Sequence, residues 1–195
     1  IIKQEKPDYV MSLGNLPSIV NILTQKNSIV RVGNYLSEGN KGWRGKWYLF
    51  LVKILFPKAG KIIVVSKGIE RDLIENFSIP KEKITVIYNP IDVKKVQQLS
   101  AEPLKPEYQM LFENHPVIIN IGSFVQQKGQ WHLIRAFARA KRDLPNLKLV
   151  LLGEGELKNR FCVMVQKLKL EDDVYFLGWQ KNPFKFLARS KLFVL

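Results

Sequence analysis

One cysteine and two histidines in 195 residues leave this sequence poor in the side chains that most often ligate metals, form disulfides or act as bases. A lone Cys162 excludes an internal disulfide and fits a reducing compartment, and its place in an apolar helical stretch marks it as a core thiol. His132 falls near the basic face of a predicted helix and His115 precedes Pro116; neither has a partner spaced for acid–base work. The sequence holds no aspartate cluster or DxD, so no bound metal is expected. It also has no Walker loop, no GxGxxG, no short repeat and no low-complexity tract. No run approaches the ~20 apolar residues of a membrane span, and no signal peptide is visible. An initiator methionine is missing too. Ile1 to Glu5 resembles a helix already under way and KLFVL stops inside what should be a buried strand, so the chain reads as a fragment.

What is present is an alternation of elements. Strands are predicted at Tyr9–Leu13, Ser28–Val32, Lys61–Val65 and Ile84–Ile87, with helices over Leu16–Gln25, Arg44–Phe56 and Lys67–Phe77 between them. Ser66 is placed to cap the helix that follows it, with Ile69, Leu73, Ile74 and Phe77 spaced for burial. Asn89 to Pro116 is polar and contains three prolines after Asn89-Pro90, a composition suited to a connection between domains. The alternation then restarts, with strands at Val117–Ile121, Leu147–Leu152, Val174–Leu177 and from Leu192. Helices over Trp131–Arg142, Glu156–Leu170 and Phe184–Arg189 separate them. The expected architecture is α/β, with two Rossmann-like domains, each incomplete. Residues 1–88 would form part of the first, 89–116 the connection and 117–195 the first part of the second.

In open parallel sheets ligands bind beyond the carboxyl ends of the strands, so those loops carry the functional signal. After Val117–Ile121 comes Gly122, and Lys128 stands just before the helix. A glycine admits an anion to the backbone, while helix-start amides and an ammonium supply positive charge. These residues alone are equally compatible with an ordinary strand-to-helix turn. Two companion loops, Gly153-Glu154-Gly155-Glu156 after LVLL and Gly178-Trp179-Gln180-Lys181-Asn182 after VYFL, would lie on the same edge. Any one glycine is better explained as a turn, but three in register point to a flat or charged ligand.

The segments VVSKGIERDLIENFSIPKEKITVIYNPID, IINIGSFVQQKGQWHLIRAFARA, LKLVLLGEGELKNRF and VYFLGWQKNPFKFLARSKLFVL together resemble a nucleotide-sugar glycosyltransferase of family four, with GT-B architecture. The likeness covers most of Lys61 to Leu195 and is looser upstream. It implies transfer of a sugar from a nucleoside diphosphate donor, with UDP or GDP among the candidate carriers, to a glycan or lipid-linked acceptor. Anomeric configuration would be retained and no metal would be needed. It further implies that Lys128 and Gly122 meet the donor diphosphate, that Gly153, Glu154 and Gly155 form a second donor loop, and that Gly178, Trp179 and Gln180 lie where a nucleobase is met. Asn89, Pro90 and Asp92 would match the interdomain segment. Ser123 stands where the family often has arginine, which replaces a charge-assisted contact by a weaker neutral one. The family's paired glutamates would follow KLFVL, so the 195 residues alone are expected to be inactive. No histidine precedes His115, so the one that relatives often present to the donor sugar is missing, with Arg31 to Asn34 in its neighbourhood. The implied setting is bacterial surface polysaccharide or lipopolysaccharide synthesis in the cytoplasm, at the inner face of the membrane.

Basic residues exceed acidic ones by 14, spread evenly: 14 against 7 up to Asn89 and 17 against 10 after it. Such a field favours anionic partners, among them nucleotide sugars, acidic membrane surfaces and nucleic acid. No recognised nucleic-acid module accompanies it, which makes that partner unlikely and leaves a basic noncatalytic binding protein as a competing class. A degenerate transferase that binds nucleotide without turnover is another. The helix within Trp43–Lys58 mixes aromatics with Arg44, Lys46, Lys53 and Lys58, as a membrane-docking helix would. Trp47, Phe50, Leu51, Ile54 and Leu55 equally make a core-facing stripe, the expected reading, and the two coexist if Trp43 and Tyr48 remain exposed.

Overall fold

The computed structural model describes residues 7–39 and 42–195; the helix expected over Ile1–Glu5 lies outside them. The chain divides into two compact units, 1–91 and 92–195.

In the first unit, β1 (Val10–Leu13), β2 (Ser28–Val32), β3 (Lys61–Val64) and β4 (Ile84–Val86) form one sheet in that order, every pair parallel. β-Branched residues fill it because a parallel sheet is covered on both faces. Val30, Ile62 and Val64 are fully buried. The crossovers are α1 (Asn15–Thr24), α2 (Leu36–Gly39), α3 (Trp43–Leu55) and α4 (Lys67–Phe77). Ser66 caps α4 as expected, its Oγ accepting the Ile69 amide at 3.2 Å. Buried Asp72 on α4 accepts the amides of Leu36 and Ser37 and the side-chain amide of Asn76, so it caps α2 from a neighbouring helix. Burial pushes the Asp72 pKa up, but these hydrogen bonds outweigh it and hold the carboxyl below its ordinary value.

The α3 face is a correction. Val52, Leu55 and the following Phe56 are buried, with Tyr48 and Leu49 packed against the same core. Trp47, Phe50 and Ile54, expected inside with Leu51 and Leu55, point outward at 61, 54 and 43 % exposure. The helix is apolar around most of its circumference, so periodicity offers two stripes and tertiary packing selects one. Trp43 is exposed, whereas Tyr48 is half-buried and burial pushes its hydroxyl pKa up to about 12.

In the second unit, α5 (Val93–Ala101) and α6 (Pro106–Asn114) come first. The stretch 89–116 is thus mostly helical: Asp92 caps α5 through the Lys95 amide at 3.0 Å, and Pro106 opens α6, where a missing amide costs nothing. β5 (Val117–Ile121), β6 (Lys148–Leu152), β7 (Val174–Gly178) and β8 (Leu192–Phe193) follow, with α7 (Gln130–Asp143), α8 (Lys158–Lys167) and α9 (Phe184–Leu187) as crossovers. The sheet order is β7-β6-β5-β8, all parallel. Alternate residues serve opposite layers. Leu149 and Leu151 pack with Phe124, Ile134, Phe137 and Phe161 on one face, while Val117, Ile119, Val150 and Leu152 pack with Leu111, Phe112 and Phe186 on the other.

Candidate functional site

β5, β6 and β7 end together, and their three following loops are stitched by backbone hydrogen bonds. The Gly122 amide donates to Leu152 O at 2.9 Å, Phe124 to Glu154 O at 2.8 Å, Gly153 to Gly178 O at 2.9 Å and Leu157 to Phe124 O at 3.1 Å. Such close stacking fixes where side chains can exist. A Cβ on Gly153 would lie 2.1 Å from Gly122 O, and one on Gly155 2.6 Å from Phe124 O, so both positions require glycine for the loops to meet. Gly122 differs. A Cβ there would meet only the Gln130 and Lys128 side chains, at 3.8–4.0 Å, so the fold does not demand its absence.

These loops enclose a cavity of about 370 Å³ lined by Ile121, Gly122, Ser123, Leu152, Gly153, Glu154, Trp179, Gln180 and Pro183. Six of the nine expected site residues line it. Gly155 and Gly178 do not; Gly155 serves the packing of the loops instead, and Gly178, at φ 69°, turns the chain out of β7. Lys128 does not line the cavity either; it is exposed, with its aliphatic carbons about 4 Å from where a Gly122 Cβ would be, and makes no ion pair among the described residues. It precedes α7, whose N-terminus at Gly129 has no side-chain cap. A helix start without a cap presents unsatisfied amides and the positive end of the helix dipole beside that ammonium.

Two buried polar residues hold the walls. Gln130 is 1 % exposed and donates from Nε2 to Ser123 O at 3.0 Å; its Oε1 is buried with no hydrogen-bond partner among the described residues. Asn182 donates to Leu99 O and to Glu102, each at 2.8 Å, and accepts the Phe184 amide at 3.0 Å, which ties the Trp179–Pro183 loop to the end of α5. Sequence reading missed Gln130, along with the apolar floor of Ile121, Leu152 and Pro183. Ile121 and Leu152 are marked only by ending their strands, and Gln130 and Pro183 only by standing at or just before a helix start, since nothing in their chemistry sets them apart. Trp179 is 70 % exposed and free to cover a flat ring; Gln180 donates to Leu177 O at 2.7 Å.

The cavity therefore combines an apolar floor, close backbone amides, a hydroxyl, a carboxylate and an adjacent cation, which suits a ligand with a planar part and an anionic part. No three His, Cys, Asp or Glu side chains converge as a metal site among the described residues. His132 is exposed and outside the cavity lining.

Comparison with known proteins is consistent with that chemistry. Residues 1–95 match the profile of glycosyltransferase family 4, and residues 104–195 that of glycosyl transferases group 1. An uncharacterized glycosyltransferase of Methanocaldococcus jannaschii is 39 % identical over all of this chain and 51 % of its own length. The Campylobacter jejuni N-acetylgalactosamine-N,N'-diacetylbacillosaminyl-diphospho-undecaprenol 4-alpha-N-acetylgalactosaminyltransferase is 33 % identical over 96 % of the chain and 48 % of its own. The chain spans about half the length of these relatives. Among solved structures, Anabaena Alr3699/HepE in complex with UDP is similar with a TM-score of 0.77 at 19 % identity, over 98 % of this chain and 53 % of that one. WaaG, a glycosyltransferase involved in lipopolysaccharide biosynthesis, gives 0.69 at 15 % identity, over 98 and 54 %. At those identities the structural likeness is one of fold.

Proposed function

As this chain belongs to the family-four, group 1 glycosyltransferases and has the α/β units of their GT-B architecture, we propose that its second unit binds the nucleoside diphosphate of a sugar donor and its first unit serves the acceptor. The reaction proposed is transfer of the sugar, with retention of configuration, to a glycan or lipid-linked acceptor in surface polysaccharide synthesis. Its proposed setting is the cytoplasmic side of the membrane. The cavity at the ends of β5, β6 and β7, with Lys128 beside Gly122 at the start of α7, carries this reading.

Each residue then has a task. Breaking the sugar–phosphate bond leaves negative charge on the departing diphosphate and positive character on the sugar carbon. The Lys128 ammonium and the amides at the start of α7 stabilise the leaving diphosphate, and the Ser123 hydroxyl adds a neutral donor. Gly122 leaves room for phosphate against the backbone. Trp179 and Gln180 hold the base, and Glu154 accepts hydrogen bonds from donor hydroxyls. These charged and dipolar groups perform the electrostatic work, with no metal in the scheme.

Lys128→Ala in the full chain lowers kcat/KM by about 10²–10³-fold, the loss typical of one preorganised charge-stabilising donor, and leaves the melting temperature unchanged. Steady-state assays with a panel of nucleoside diphosphate sugars measure it, and unaltered turnover rejects the assignment. The 195 residues alone give no transfer in the same assay. Ser123 in place of an arginine supports a second reading, a homologue that binds nucleotide without turnover; it predicts nucleotide binding by the full chain and no transfer from any donor in the panel.

A further inference from the structure

Gln130 is the first residue of α7 and, at 1 % exposure, the most completely buried polar residue of the second unit among the described residues. Its Nε2 donates to Ser123 O at 3.0 Å and lies 3.8 Å from where a Gly122 Cβ would stand. Its Oε1 is buried with no hydrogen-bond partner among the described residues. A buried acceptor left unpaired costs its full desolvation. Ser123 O also accepts the Val125 amide at 3.0 Å, so it stays paired without Gln130. Stability alone therefore favours an apolar side chain of similar length here, such as methionine. What glutamine contributes is the placement of Ser123.

That residue has donors to offer. The Gly122 amide is taken by Leu152 O, the Phe124 amide by Glu154 O and the Val125 amide by Ser123 O. The Ser123 amide, between them, donates to nothing among the described residues, and neither does the Ser123 hydroxyl. Gly122 and Ser123 line the cavity whereas Gln130 does not, so Gln130 acts on a ligand there only through Ser123. Both ends of the peptide group joining Ser123 to Phe124 are held, its carbonyl by Gln130 and Val125 and its amide by Glu154 O. A fixed peptide plane restricts Ser123, and the same hydrogen bond ties it to the first turn of α7, whose N-terminus has no side-chain cap. Donors held in place before negative charge develops need no reorganisation when it does.

We propose, on the donor-site reading above, that Gln130 is a positioning residue: through Ser123 O it holds the Ser123 amide and hydroxyl in register with Lys128 and the start of α7 for the donor diphosphate. The test compares the full natural chain with Gln130→Met, Gln130→Leu, Ser123→Ala and the Gln130→Met, Ser123→Ala double variant. Thermal melting, steady-state turnover of the donor panel and calorimetric titration with UDP, GDP and inorganic pyrophosphate are the readouts. Gln130→Met melts at the same temperature or higher, yet binds the diphosphates about three- to tenfold more weakly, the range for one hydrogen bond. Its kcat falls by about tenfold or more while KM rises less, because misplaced donors matter most as charge grows on the leaving phosphate. The double variant loses less affinity than the product of the two single losses, since both changes act through Ser123. A natural chain that binds none of the three probes overturns the donor-site reading and this inference with it. A natural chain that binds, with Gln130→Met equal to it in affinity and kcat, overturns the inference alone. So do single losses that multiply in the double variant, or a fall in melting temperature shared by Gln130→Met and Gln130→Leu, which would make the residue a structural one.

Discussion

Two glycines lining one cavity do different jobs. Gly153 is held at φ 139° with the Gly122 carbonyl where its Cβ would be, so Gly153→Ala forces the loops apart. The expected cost is about 1–3 kcal/mol, as for other overpacked sites, read from urea unfolding. Gly122→Ala finds ordinary contact distances and leaves stability unchanged, but places a methyl where a phosphate would approach. Its expected effect is on donor affinity alone, read by calorimetric titration. Were both variants equally destabilised, the distinction between structural and ligand-facing glycine would fail. Sequence could flag both only as glycines after strands, because the difference between them is a neighbour's backbone position.

At the scale of elements, helices are fixed by polar groups at their ends as much as by their apolar faces. Asp72 joins α4 to α2, and its lowered pKa means that the folded state binds the proton less well than the unfolded state. Its stabilisation is therefore complete above the ordinary aspartate value of about 3.9 and is lost as pH falls through the folded pKa. Asp173 follows the same sign. Burial opposes its charge, and the ammoniums of Lys141 at 2.6 Å and Lys148 at 2.8 Å outweigh that and hold its pKa down. Asp72→Asn is expected to cost about 1–3 kcal/mol at neutral pH, the range for losing hydrogen bonds to a buried charged group, and to flatten the acid limb of stability. Urea midpoints measured between about pH 3 and pH 7 check this, and an unchanged acid limb would show that Asp72 carries no such linkage.

Elements with a cap or a uniform burial pattern were readable in advance. Ser28–Val32, Lys67–Phe77 and Val117–Ile121 have the expected bounds, because Ser66 caps one and β-branched runs define the others. Two kinds of element were hidden. Prolines made 89–116 look like a connection, although Pro106 begins a helix and Leu104, Leu111 and Phe112 are buried in the second unit. On α3 too many apolar residues competed for one core, so the inward face was settled by the sheet it packs on. The cavity itself was largely legible, since Gly122, Ser123, Gly153, Glu154, Trp179 and Gln180 all directly follow the ends of adjacent strands. The supporting Gln130 and Asn182 were not, because their hydrogen bonds reach Ser123, Leu99 and Glu102 across the fold.

The whole molecule carries a net charge of +14, and its second unit a site proposed for an anion. Attraction over that range is screened within about 8 Å at physiological ionic strength. The association rate for a nucleoside diphosphate is therefore expected to fall several-fold between low and physiological salt, while the dissociation rate changes less. Stopped-flow quenching of tryptophan fluorescence measures both, and a salt-independent association rate would remove the role of the field. Steering brings the ligand in, but the central claim concerns where its phosphates rest. Calorimetric titration of the full chain with a nucleoside diphosphate and the matching monophosphate, on the natural sequence and on Lys128→Ala, tests it most directly. The account predicts that the diphosphate binds about tenfold or more tightly than the monophosphate, as a charge-assisted contact to the second phosphate requires, and that Lys128→Ala erases the difference. Equal affinities in the natural sequence, or a preference that survives Lys128→Ala, would contradict it.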